Sequence, residues 1–195
     1  MFRAEKKLGE HAFIVIYLFT QLILNGATKY LLLIDAKNIY VYQLNCILSL
    51  IIINAYFLFS YYADIPFRLF RYYIILSAIS VIITSIIISS EDDTSFNSNS
   101  YSVTALVIFA QCLLYYCLKL LKPVSENIVR TRSFWFIMGI FIYYGGSFFI
   151  FSTYRILSSL NEKYVSLPWK FHNIFLFLMC ICFSIAFTCR TSPKT

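Results

Sequence analysis

Six stretches of about twenty apolar residues follow one another along this chain, and hardly a charge interrupts any of them. A bilayer's hydrocarbon core is ~30 Å thick, and a helix needs about 20 apolar residues to cross it. The stretches run Ala12–Leu33, Ile39–Tyr61, Phe70–Ser89, Ser102–Leu121, Ser133–Tyr154 and Trp169–Thr188. None alternates apolar and polar residues with period two, which disfavours a transmembrane β-barrel. Helices satisfy every backbone donor and acceptor internally, as hydrocarbon demands. The expected fold is all-α: a polytopic membrane helix bundle of about six transmembrane helices, with residues 1–195 forming a single domain.

Composition supports lipid as the solvent. The chain is 60% hydrophobic and only 13% charged, whereas a soluble domain is ~45–50% apolar and ~25% charged. In water such a chain would expose apolar patches well beyond the few hundred Å² that monomers tolerate. Tyrosines and tryptophans gather at the ends of the runs, as interfacial belts do. The net charge of +7 does not point to nucleic acid, because the basic residues are spread over the short segments between runs.

Lysine and arginine set the expected orientation. One side carries Arg3, Lys6, Lys7, Arg68, Arg71, Lys119, Lys122, Arg130, Arg132, Arg190 and Lys194, and the other Lys29, Lys37, Arg155, Lys163 and Lys170. The positive-inside rule then places both termini in the cytoplasm. The acidic, Ser- and Asn-rich stretch from Ser89 to Ser100 faces outward as a flexible loop. Connections this short leave no room for a soluble catalytic domain.

The first run is the least regular, because Asn25-Gly26-Ala27-Thr28-Lys29 interrupts it. A signal peptide would also begin with basic residues, but the small-residue cleavage pattern fits poorly, so a retained helix is expected. All four prolines lie outside the runs or at their edges, which predicts unbroken helices. Gly145-Gly146 is the one weak point. Gly139 and Gly146, seven residues apart, share a face suited to close helix packing. The six cysteines (Cys46, Cys112, Cys117, Cys180, Cys182, Cys189) lie in or beside apolar runs, where cysteine acts as a small hydrophobe. Neither a disulfide framework, a metal site nor a cofactor is expected.

Polar groups in lipid are costly, which makes each a functional candidate. The deep ones are the amides Gln21, Asn25, Gln43, Asn45, Asn54 and Gln111, and no Asp or Glu lies near the middle of a run. That absence weighs against a proton-coupled pump, which uses a carboxylate relay. Depth places Asn25, Lys29, Gln43, Asn45, Tyr143, Ser147, His172 and Asn173 in the outer half, as a candidate outer polar pocket. The plainer expectation is that amides pair across helices and hold them together, and that His172 is an interfacial structural residue. Zinc-protease, nucleophile-elbow, P-loop and paired-carboxylate patterns are not found, so no catalytic residue is assigned and no enzyme expected.

Ser133-Phe134-Trp135-Phe136, the following Phe141-Ile142-Tyr143-Tyr144-Gly145-Gly146-Ser147-Phe148-Phe149, and Trp169-Lys170-Phe171-His172-Asn173-Ile174 carry a resemblance. The chain resembles a loose group of small multi-pass membrane proteins of Bacteroidetes-type bacteria, often encoded beside sensor histidine kinases. Members usually carry an acidic residue in the second helix, where this chain has Gln43 or Asn45. The resemblance implies a bacterial inner-membrane protein that senses or signals with a cytoplasmic histidine kinase. Arg68, Arg71, Lys119, Lys122, Arg130 and Arg132 are then candidate docking residues, with topology and anionic lipid as the default account of their charge. A small transporter or channel subunit would instead need a polar stripe along two or more helices. A scaffold subunit of a larger membrane complex is the third possibility, with another membrane subunit as its partner.

Overall fold

The computed structural model describes residues 2–61, 67–90, 98–121, 128–160 and 166–189. Among them are six long helices: α1 (Phe2–Leu33), α2 (Ile39–Tyr61), α3 (Phe67–Ser90), α4 (Ser98–Leu121), α5 (Arg132–Leu160) and α6 (Ser166–Thr188). A short 3-10 turn at Ile128–Arg130 precedes α5. Every long helix contains a stretch long and apolar enough to cross a membrane. The chain is an integral, multi-pass membrane protein of all-α class.

Several helices outrun the stretches that hydropathy marks. α1 begins at Phe2, ten residues before its span at Ala12. Lys, Glu and Arg are good helix formers, and Gly9 within the extension lies against the Phe59 ring. α5 likewise continues past its span, from Tyr154 to Leu160. Ser98, Asn99 and Ser100, expected in a loop, form the first turn of α4, with Ser98 and Ser100 buried. The acidic centre of that expected loop, Glu91 to Asp93, lies outside the described residues.

The helices divide into two compact units, residues 1–100 and 101–195. In the first, α1 and α2 form a hairpin whose turn the sequence specifies closely. Asp35 sits in the left-handed region (φ 52°). The amide of Ala36 donates to the Leu31 carbonyl (3.0 Å) and that of Asp35 to the Leu32 carbonyl (3.4 Å). Together they form the Schellman termination of a helix, with Asp in the place more often taken by Gly. The Asn38 carbonyl then accepts from the Val41 and Tyr42 amides to start α2. The expected interruption at Asn25–Lys29 does not break α1. Asn25 Nδ2 and Thr28 Oγ1 donate to carbonyls one turn back (2.8 and 2.9 Å), which satisfies them within the helix. Farther down the hairpin, the Phe13 ring stands edge-on to Tyr56 and beside Phe59.

α3 packs on α2 and turns the usual pattern inside out. Its buried positions are Tyr73, Ser77, Ser80 and Thr84, whereas Ile74, Ile75, Leu76, Ile79, Ile82, Ile83 and Ile86 are exposed. In water the arrangement would be reversed. Here hydrocarbon covers the isoleucines, and the hydroxyls are withdrawn from it.

In the second unit α5 is the central helix: half of its span is buried, against 22% for α6. α5 and α6 pack backbone to ring. A Cβ on Gly146 would lie 2.5 Å from the Phe175 ring, and one on Gly139 would lie 2.9 Å from Phe183. Both glycines face α6, as their seven-residue spacing predicts, and α5 passes through Gly145-Gly146 unbroken. α4 meets α5 through side chains: Phe109 stacks on Phe141 (4.9 Å) and Tyr101 is tilted against Phe151 (4.9 Å). Tyr116 is edge-on to Phe134 and donates to its carbonyl (3.3 Å).

Lipid supplies no hydrophobic drive between helices, so van der Waals fit decides such contacts. Gly146→Ala is expected to destabilise the protein by about 1–3 kcal/mol, the usual cost of overpacking. Gly26→Ala, where a Cβ would meet nothing within 4 Å, is expected to be neutral or stabilising, since Ala is the better helix former. Thermal unfolding of both variants in one detergent checks the contrast.

Candidate functional site

Two polar clusters emerge, one within each unit. In the second unit, Tyr143 and Ser147 lie one turn apart on α5 and so share a face, the face turned toward α6. His172 of α6 sits between their hydroxyls. The Tyr143 hydroxyl is 3.2 Å from Nε2 and the Ser147 hydroxyl 3.3 Å from Nδ1. Tyr143 and Ser147 are buried and His172 half-buried. A neutral imidazole has one N–H donor and one bare nitrogen. A hydroxyl can donate or accept, so the pair satisfies either tautomer.

Aromatic rings enclose the imidazole. Its centroid lies 5.1 Å from that of Tyr143, 5.2 Å from Phe151 and 5.9 Å from Trp169. Phe151 comes from two turns beyond Tyr143 on the same α5 face, and Trp169 from the start of α6. Four residues separate His172 from the beginning of its span at Pro168, which puts it ~6 Å inside the apolar layer. Asn173, expected with this group, is exposed and takes no described part in it.

At the far end of the same hairpin, Arg132 Nε donates to the Cys189 carbonyl (3.0 Å). The last carbonyls of a helix lack intrahelical partners, and a guanidinium suits both their geometry and the helix dipole. Trp135 Nε1 donates to the Val129 carbonyl (2.8 Å) and ties the 3-10 turn to α5.

The first unit holds the other cluster. Gln21 Nε2 donates to Asn45 Oδ1 (2.9 Å) and to Ser49 Oγ (2.8 Å), and Ser49 Oγ donates to Asn45 Oδ1 (3.1 Å). This closed triangle joins α1 to α2. Of the expected pocket residues in this unit, only Asn45 belongs to it. Asn25 and Lys29 are exposed, and Gln43 is half-exposed without a described contact to the others. Gln21 and Ser49 were not among the expected pocket residues. Depth along the hairpin offers a clue to them. Gln21 is twelve residues before Leu33 and Ser49 ten after Ile39, ~18 and ~15 Å from the turn.

The candidate docking residues differ in their surroundings. Arg71 and Arg130 are exposed, Lys119 lies over the Tyr115 ring (5.6 Å to its centroid), and Arg132 is held at the Cys189 carbonyl. Lys122 and the Arg68 side chain lie outside the described residues.

Interhelical side-chain bonds in membranes contribute ~0.6–2 kcal/mol each. A double-mutant cycle of Tyr143→Phe with His172→Gln, followed by thermal unfolding, is expected to show a coupling of about 1 kcal/mol. In the other cluster, Asn45→Leu removes the oxygen that accepts from both Gln21 and Ser49 and is expected to cost about 1–3 kcal/mol in the same measurement. Comparison with protein families, characterised proteins and solved structures found no match to this chain.

Proposed function

We propose that the chain is the membrane-embedded sensing component of a signalling pair in a bacterial inner membrane, without catalysis of its own, and that a cytoplasmic histidine kinase is its partner. The observation that supports this most is the anatomy of the α5–α6 hairpin. One end holds the half-buried His172 between two hydroxyls and three rings, and the other holds the Arg132–Cys189 clamp beside the exposed Arg130. Cys189 follows His172 by seventeen positions, ~26 Å at the helical rise, close to the thickness of the hydrocarbon layer. Tight backbone packing between them would carry a change at one surface to the other, since packed interfaces shift as units. The kinase enters through the resemblance of Ser133–Phe136, Phe141–Phe149 and Trp169–Ile174, and the basic end of the hairpin suits an acidic docking face.

A small transporter or channel subunit is the second reading, and α3 favours it. Tyr73, Ser77, Ser80 and Thr84 give that helix a buried hydroxyl face along most of its length. Thr84 Oγ1, fully buried, has no hydrogen-bond partner among the described residues.

Mild-detergent purification of the tagged protein from its native membrane, followed by mass spectrometry, separates the two. Near-stoichiometric recovery of a histidine kinase is expected, with loss of that recovery in Arg130→Glu. Recovery of the protein alone, together with solute flux in reconstituted vesicles, would replace signalling with transport.

A further inference from the structure

We propose that His172 is a proton-binding site. The imidazolium is held by the hydroxyls of Tyr143 and Ser147, among the rings of Tyr143, Phe151 and Trp169. The proposal deepens the sensing reading, on which its physiological meaning rests, although proton uptake itself can be tested apart from that reading.

Both ring nitrogens already have an oxygen within hydrogen-bond distance, at 3.2 and 3.3 Å. In the neutral ring one hydroxyl accepts from the N–H and the other donates to the bare nitrogen. Protonation turns both nitrogens into donors, and both hydroxyls then accept. No heavy atom need move for the charge to be received. The hydroxyl that had been donating must turn its own hydrogen elsewhere. For Ser147 an acceptor is close by in the helix, because a helical serine can bond to the carbonyl four residues back, here that of Tyr143. A proton therefore rewires the contact between α5 and α6 while keeping it satisfied.

The rings enclose the site. Their centroids lie 5.1, 5.2 and 5.9 Å from that of the imidazole, the Tyr143 and Phe151 rings tilted against it and the Trp169 ring perpendicular to it. The groups facing His172 account for the charge environment. α5 contributes the Tyr143 phenol, and α4 reaches the cage through Tyr101, whose ring is tilted against that of Phe151. On α6 the nearest cation is the exposed Lys170. Among the described residues of the second unit there is no carboxylate, and Glu162, Lys163 and the Arg155 side chain lie outside them. The charged state thus relies on the two hydroxyls, so its stability depends on the cage that positions them. The half-buried ring near the end of its span gives the proton a path from water.

Trp169 reports on the site directly, because imidazolium quenches excited indole far more strongly than neutral imidazole does. The chain has two tryptophans, so Trp135→Phe leaves Trp169 as the only indole, excited selectively at the red edge where tyrosine does not absorb. In detergent or nanodiscs, Trp169 emission is expected to fall reversibly as pH is lowered, with helicity unchanged, and the transition is lost in His172→Gln. Ser147→Ala and Phe151→Leu are expected to shift its midpoint. Emission indifferent to pH, or a transition that survives in His172→Gln, overturns the proposal. So does a midpoint unmoved by both cage variants. Should Trp135→Phe fail to fold, ¹³C-labelled histidine in the wild-type chain gives the same answer. His172→Gln then assigns the two histidine signals, and a His172 signal that does not titrate overturns the site. Kinase recovery with a His172 that does not titrate overturns the proton site alone and leaves the signalling reading standing.

Discussion

The seating of Phe175 and Phe183 against the bare backbone of Gly146 and Gly139 is the contact on which the second unit depends. Lipid tails are as apolar as leucine, so two helices gain nothing by hiding apolar surface from them. What holds α5 to α6 is close contact, and only a missing Cβ lets a phenylalanine ring come that near. That closeness also sets the reach of every polar group on the shared face. Tyr143 and Ser147 meet His172 because the backbones are already near, and Arg132 reaches the Cys189 carbonyl for the same reason.

The first unit solves the same problem with hydrogen bonds. The Gln21–Asn45–Ser49 triangle satisfies several polar atoms at once, and a closed set of this kind costs little to bury. It also fixes the rotation of α1 against α2, since another register would leave amides facing hydrocarbon. The hairpin turn at Asp35 works in the same direction by ending α1 at a defined residue. Polar groups here give orientation, and packing gives most of the cohesion.

How much of this was legible in the sequence follows from what lipid does and does not constrain. The six spans could be read because hydrocarbon forces about twenty apolar residues on any crossing helix. Helix ends could not, because water accepts both helix and loop, so the charged start of α1 and the hydroxyl-rich start of α4 carried no comparable signal. Depth put Tyr143, Ser147 and His172 at one level, but in a single pocket with Asn25, Lys29, Gln43, Asn45 and Asn173. Rotation about the helix axis stayed hidden, since both the lipid face and the packed face are apolar. Asn25, Lys29 and Asn173 therefore have suitable depth but exposed side chains, while Gln21 and Ser49 turn inward. Gly139 and Gly146 are the exception: their spacing encodes a rotation, and the structure turns both toward α6.

The two clusters differ in what they can respond to. The Gln21 triangle is made of amides and a hydroxyl, none of which changes charge near neutral pH, so it stays a clasp. His172 is the member of the other cluster whose ring can take up a proton, and its partners are hydroxyls that can reverse their bonds without moving. It stands on the helix pair with the tightest backbone contact, close to the end of its span. A change of charge there falls on an interface with little slack, because a Cβ at Gly146 would already collide with Phe175. Packing that leaves no room for small adjustments favours a discrete shift of the hairpin over a graded one.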